Sequence, residues 1–379
     1  MGGENVSTSP RQFVASAASA ITRRKAVQGV GAAGGVGALA ATFPPFVAET
    51  AAQQSSAHPP LPVEPSTIKR RGTGLRGHDP ERAFAGFTLF SPLPTTNKTV
   101  YLIDMAGNVV HTWNMPYPPG QSGYLTERGT LFYNGQIPND SHVGRAPYMG
   151  GAALEMDWKG RIIWEVNHPH HNHDGIRLRN GNVLLICQKA LPVDIASRVR
   201  GGRPGTEYDQ GGMDAPYLVE MTTRGEVVWE WRSWEHLDPE IDAITAIQDD
   251  RDVWTVANGV SEMPDGNLIL SFRDISTVIM INRRTGAIYW KLGAPPLAGQ
   301  HAPYILPNGN VLLFDNGPHG NTFVNEGWFG RFFEVMPDGT VVWEYVSPYF
   351  GPRQRLVINS VQRAYRYSAA DIARAESAI

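Results

Sequence analysis

Five times from about residue 100 onward, the chain repeats one pattern: an apolar strand, a glycine turn, and a second strand that usually ends in tryptophan. The copies read VYLIDMAGNVVHTW, ALEMDWKGRIIWEV, YLVEMTTRGEVVWEW, VIMINRRTGAIYWKL and FFEVMPDGTVVWEY, with turn glycines Gly107, Gly160, Gly225, Gly286 and Gly339. In the last four, Trp164, Trp229, Trp290 and Trp343 follow the glycine by four residues, and His111 takes that place in the first. Each copy reads as a β-hairpin. A second hairpin alternates with the first, as RLRNGNVLLI, EMPDGNLILS and ILPNGNVLLF, with YLTERGTLFYNG a weaker copy. Two hairpins make four antiparallel strands, and their glycines recur every 53 to 65 residues. That period, with its glycine and aromatic signatures, describes the blade of a β-propeller. A stack of β-sandwich domains is the alternative, but it needs no such regular double hairpin.

The ends of the pattern predict how the ring closes. FAGFTLFSP (84–92) precedes the first hairpin without an inner partner, and NSVQRAYRYS (359–368) follows the last one unclaimed. Together they complete one blade from both chain ends, which removes open edges. The expectation is an all-β propeller of five blades over residues 84–368, with a sixth blade if 118–150 or 189–215 hold further strands. The tail, 369–379, reads as a short helix begun by Ser368 as N-cap. Composition agrees: 42% hydrophobic and 18% charged residues, with 40 glycines and 29 prolines, suit many short strands and turns.

The amino terminus reads as a targeting segment. Arg23-Arg24 precede a mildly apolar Gly/Ala-rich run and then small residues near Ala48–Ala52. A basic stretch before a short apolar run is a signal peptide and not a spanning helix, and the arginine pair resembles a bacterial twin-arginine signal. Residues 1–52 are therefore assigned to the signal and 53–83, polar and Pro-rich, to a linker or surface wrap. The expectation is a periplasmic or secreted protein whose mature chain has no membrane span. Net charge is −3, and residues 1–52 hold four basic and two acidic side chains, so the remainder carries −5. No basic field exists to hold nucleic acid. The single cysteine, Cys187, sits in the apolar run VLLICQ and reads as a buried structural thiol.

NHPHHNHDG (167–175) holds four of the eleven histidines: His168, His170, His171 and His173. A metal site wants ligands on one turn or across two elements, usually with cysteine. Here a proline interrupts the run and a strand sends neighbours to opposite faces. No metal is assigned. His168, His170 and His171 read as a polar crossover between blades. His173 differs because it opens an inner strand, where a propeller faces its central channel.

Most of the chain, roughly 80–368, resembles the bacterial arylsulfotransferases, in particular a propeller-only branch. The resemblance rests on GFTLFSP, NHDGIRLRNGNVLLI, SRVRGGRPGTE, WEWRSWEHLDPE, NLILSFRDISTVIMINRRTGAIYWKLG, GQHAPYILPNGNVLLFDNG and GRFFEVMPDGTVVWEYV. It implies transfer of a sulfuryl group from a phenolic sulfate ester to a phenol, through a sulfated histidine and without a cofactor. On the motifs, His301 in GQH is the implied nucleophile, Arg273 in SFRD the oxyanion clamp, and His173 the acid/base or a second clamp. Asn258 and Trp254 are the implied substrate-binding residues. The chemistry needs a neutral imidazole to attack sulfur, cationic donors for the equatorial oxygens, and a group titrating near neutrality for the phenol. Two departures stand out. The family motif Trp-x-His-x-Asn-Ser reads WTVANGVS, with Val256 for histidine and Gly259 for serine. The family also has six blades, with one more hairpin after FDNG. These departures favour a second reading: a catalytically inactive propeller that binds a small aryl or sulfated ligand, or a partner protein.

Overall fold

The apolar runs become strands, and the chain is followed here in a computed structural model that describes residues 72–93, 97–138, 149–208, 211–294, 297–305, 311–314, 325–326, 330–335, 341–353 and 356–378. Residues 1–52, expected to be a signal, and most of the expected linker lie outside the described residues. The strands are β1 (Gly74–His78), β2 (Phe87–Pro92), β3 (Thr99–Ile103), β4 (Val109–Asn114), β5 (Pro119–Leu125), β6 (Leu131–Gln136), β7 (Gly151–Met156) and β8 (Ile162–Asn167). They continue as β9 (His171–Arg177), β10 (Val183–Ala190), β11 (Asp214–Met221), β12 (Val227–Arg232), β13 (Ala257–Glu262), β14 (Leu268–Phe272), β15 (Thr277–Ile281) and β16 (Ile288–Leu292). The last are β17 (His301–Ile305), β18 (Val311–Phe314), β19 (Asn325–Glu326), β20 (Arg331–Val335), β21 (Val341–Val346), β22 (Gly351–Arg353), β23 (Leu356–Ile358) and β24 (Val361–Tyr367). Two helices join them, α1 (Val193–Ala196) and α2 (Ala369–Ser377), the second N-capped by Ser368 in a capping box with Asp371.

The fold is an all-β propeller. Its four-stranded antiparallel sheets run β24-β2-β3-β4, β5-β6-β7-β8, β9-β10-β11-β12, β13-β14-β15-β16 and β19-β20-β21-β1. The two chain ends share a blade: β2 pairs with β24 from Phe87↔Tyr367 to Pro92↔Val361. Apolar residues fill the spaces between blades. Leu184, Ile186 and Leu218 pack against Leu268, Leu270 and Ile279 of the next sheet. Phe90 and Ile103 pack against Phe332, Trp343 and Tyr345 in the same way.

The last third departs from the expected pairing. The ILPNGNVLLF hairpin was assigned to one blade with FFEVMPDGTVVWEY, but β17 and β18 form a sheet of their own. The reason is that both edges of the β20-β21 hairpin are taken, by β19 on the inside and β1 on the outside. Among the described residues there are five four-stranded blades, as counted, and two further pairs, β17-β18 and β22-β23. Residues 74–78, expected within the linker, are a strand of the ring. β1 pairs with Trp343 to Val346, which are all buried, whereas the β-branched residues on the outer strands of three other blades are about half exposed (Val109 46%, Ile163 50%, Val228 52%).

Tryptophans tie blade to blade. Trp113 donates its indole N–H to the carbonyl of Asp157 in the next blade's turn (3.1 Å), and Trp231 does the same to Gly286 (2.8 Å). Trp343 closes the ring by donating to Met105 of the first blade (2.9 Å).

Candidate active site

Inner strands β5, β9, β13 and β17 each break register near their first residues. A bulge re-aims side chains that a regular strand would send to alternate faces. The backbone is strained at the same places. The described non-glycine residues with left-handed backbone are His173 (φ 59°), Thr255 (86°), Val256 (46°), Ser276 (48°) and Ala302 (48°). Each lies in or beside a motif singled out above. Such a conformation costs about 1–3 kcal/mol and persists only where the surroundings over-determine it, most often at functional sites.

His301 opens β17 on a tightly held peptide. The buried side chain of Gln300 donates to Ser271 Oγ (3.1 Å), Phe272 O (3.0 Å) and Thr277 O (2.9 Å). Its carbonyl accepts from Asn258 Nδ2 (2.8 Å) and Ser271 Oγ (3.0 Å). The ring of His301 donates Nδ1–H to the Gly299 carbonyl (3.0 Å). That tautomer carries its lone pair on Nε2. Burial, then the charges of Arg363 and Arg273, pulls the His301 pKa down to about 4, against a smaller opposing effect of the Gly299 bond. The ring is therefore neutral at physiological pH.

His173 sits in the bulge of β9, with Nδ1 against Asn172 Oδ1. Burial, then His301, Arg273 and Arg363, lowers its pKa to about 3. The three residues implied by resemblance thus share one electrostatic neighbourhood, although 128 positions separate His173 from His301. Arg273 follows β14. Its N–H donates to the Val256 carbonyl (2.9 Å), and its Nη1 meets Asp274 and, at 3.4 Å, Asp249. Burial opposes the Arg273 charge, but these carboxylates outweigh it and raise its pKa. Asp274 is pushed up to about 7 by burial, with Arg273 working against the rise.

Two expected substrate contacts fall elsewhere. Trp254 is 0% exposed, packs in the core between blades and donates to Asp242 O (2.8 Å), so it is a packing residue. Asn258, also 0% exposed, donates one amide N–H to the Gln300 backbone carbonyl and so helps position His301. Val256 lies outside β13, in left-handed backbone, so strand alternation does not align it with Asn258. Of the other histidines, His168 Nδ1 lies 3.5 Å from Cys187 Sγ and His170 Nδ1 3.2 Å from Tyr217 Oη. His171 is not a crossover residue: it is 1% exposed and accepts from the Gly151 N–H (3.2 Å). Among the described residues no group of three or more His, Cys, Asp or Glu is placed to hold a metal. Cys187 is a buried thiol whose pKa burial raises well above the ordinary value.

One site residue escaped the sequence reading. Arg363, on the closing strand β24, forks onto buried Asp174 with bonds of 3.1 and 3.0 Å and reaches the Asn258 carbonyl at 3.5 Å. Burial opposes its charge, but Asp174 outweighs this and holds the pKa above the usual range. Asp174 also accepts from the Val260 N–H (3.3 Å), so one carboxylate ties β9, β13 and β24 together. The signal was the position of Arg363, alternating with Val361 and Tyr365 in a strand read only as a closure element.

The model of the arylsulfotransferase (ASST) family matches residues 79–298. The chain belongs to the arylsulfotransferase family. The match covers His173, Val256 and Arg273 and ends three residues before His301. No curated protein matches the sequence. Among solved structures, this arylsulfotransferase family member is similar to a protein of unknown function from Bacteroides caccae, at 11% identity over 73% of this chain and 98% of that one (TM-score 0.34). Hydrazine synthase of Kuenenia stuttgartiensis is 13% identical over 61% of this chain and 68% of that one (TM-score 0.39). A streptogramin B lyase is 11% identical over 79% and 84% (TM-score 0.36).

Proposed function

We propose that this arylsulfotransferase family member moves a sulfuryl group from an aryl sulfate to a phenol through His301. The observation that carries the reading is the held, neutral ring of His301 beside Arg273, Arg363 and His173. The Nε2 lone pair attacks sulfur as the bond from sulfur to the aryl oxygen breaks, and the oxygen leaves with the bonding pair as phenolate. An incoming phenol then attacks the same sulfur, the N–S bond breaks, and the lone pair returns to Nε2. The departing phenolate is protonated by solvent, and the incoming phenol's proton passes to solvent by way of neutral His173, whose pKa of about 3 lets it relay the proton and not hold it. Arg273 and Arg363 offset the charge on the sulfuryl oxygens, as preorganised cations do in phosphoryl transfer. The test is phenol release from a chromogenic aryl sulfate, with intact mass to find one added sulfuryl group. Turnover unchanged in His301→Gln would overturn the mechanism.

A slow enzyme, or an inactive binder, is the second reading. It is favoured by Val256, which offers neither donor nor proton. The arginine pair near the amino terminus supports export by the twin-arginine route, to the periplasm or beyond; sequencing the amino terminus of mature protein tests it. Among the described residues no helix is long and apolar enough to cross a membrane.

A further inference from the structure

One cavity lies away from the histidines. It holds about 440 Å³, within the range of small-molecule sites, and neither His173, Arg273 nor His301 lines it. Its walls come from the later residues of the inner strands and the turns after them: Tyr124 of β5, Ile176 of β9, Val260 of β13, Tyr304 of β17, and Tyr365 and Tyr367 of β24. The histidines come from the first residues of β9 and β17. The cavity and the candidate active site therefore lie toward opposite ends of the same strands. Arg363 is the residue common to both, and its fork onto Asp174 stands between them.

The chemistry of the walls narrows the occupant. Four tyrosines and several aliphatic side chains face the space. Four arginines also line it: Arg363 is matched by Asp174, Arg177 by Glu155 (3.0 Å) and Arg179 by Glu262 (3.4 Å), while Arg128 is exposed and its neighbour Glu127 lines the cavity with it. An anion entering there would have to compete with these carboxylates, so the lining does not select for one. Tyr124 Oη accepts from the Arg177 N–H (2.9 Å) and Tyr367 Oη from the Leu125 N–H (2.8 Å). Tyr365 lies close enough to Arg363 to support its charge. Tyr304 Oη has no hydrogen-bond partner among the described residues, and Tyr124 and Tyr367, which accept, keep their O–H to donate. Aromatic walls with hydroxyls free to donate suit a flat molecule with a polar group at one edge.

We infer that this cavity is a second binding site, for an uncharged aromatic alcohol, separated from the histidine site by the Arg363–Asp174 pair. The inference rests on the cavity alone and stands whether or not the chain transfers sulfuryl groups. The probe is 2-naphthol, fluorescent and neutral at pH 7, titrated into the full chain, with naphthalene-2-sulfonate as the anionic counterpart. Binding should be saturable, at least tenfold tighter for the naphthol than for the sulfonate, and unchanged in His301→Ala. Ile176→Trp, which fills the cavity, should weaken it at least tenfold. Tyr304→Phe, which removes one oxygen and no volume of the wall, should weaken it several-fold with an unchanged melting temperature. Failure of the parent to bind, equal affinity for the sulfonate, loss in His301→Ala, or no effect of Tyr304→Phe in a folded variant would each overturn the site. Because the readout is binding, a failed transferase reading leaves these outcomes as they are.

Discussion

His301 is held neutral far into acid, and this sets how a reaction through it responds to pH. An ordinary histidine loses its lone pair to a proton below about 6.5. Here burial and two arginines move that point to about 4. The acid limb of kcat/KM should therefore fall near pH 4, measured with a chromogenic aryl sulfate; a limb near 6.5 would remove His301 as nucleophile. Val256 carries the second prediction. A β-branched residue at φ 46° is strained, and histidine tolerates that region better. Val256→His should raise both the melting temperature and turnover. The companion change toward the family motif, Gly259→Ser, should harm the site. A Cβ there would stand 2.8 Å from the Ala302 backbone nitrogen and push on the segment that carries His301. If Val256→His changes neither stability nor rate, position 256 is outside the working site.

At the scale of single strands, β1 does what no repeat predicts. It pairs with Trp343 to Val346 of β21, and its Leu75 also lies against the turn at Gly107 of the first blade. Each hydrogen bond it adds contributes about 0.5–1.5 kcal/mol. A chain lacking residues 74–78 should melt many degrees lower, and an unchanged melting temperature would show that β1 adds nothing to the ring. The tryptophans divide by position. Trp229, four residues after its glycine, is partly exposed, whereas Trp231, six after, is 3% exposed and bonded to the next blade. Trp231→Phe should cost about 1 kcal/mol or more for the lost bond, and Trp229→Phe less than about 0.5 kcal/mol, in denaturant titrations.

For the whole molecule, the same buried histidines make folding pH-dependent. His171 and His173 are lowered to about 3 and His301 to about 4, each chiefly by burial. Unfolding frees them to take up protons, so stability falls as pH drops from about 6.5 toward 4. Asp274 acts in the opposite sense: raised to about 7, it is protonated when folded at pH 5 and releases that proton on unfolding. These three histidines against one aspartate give a net uptake of about two protons at pH 5, to which His111, His168 and His236, also lowered by burial, add. Denaturation midpoints measured across pH 4–7 read that number from their slope. Uptake near zero would mean the histidines are not buried as described.

The hairpin pattern determined the propeller, because period-2 apolar alternation and turn glycines are local signals that survive in one dimension. It also marked the shared blade of the two chain ends, since each end showed a strand without a partner. The motif positions of His173, Arg273 and His301 were legible through family resemblance. What a side chain reaches was decided in three dimensions. Trp254 looked like a substrate contact, but packing between blades buries it, and Asn258 holds the Gln300 carbonyl beside His301. Arg363 was invisible as a site residue because its partner, Asp174, lies 189 positions away, and only closing the ring brings β24 beside β9. The place of β1 was hidden for the same reason: five residues of polar, Gly-rich chain carry no strand signal, and they become a strand because β21 offers an edge.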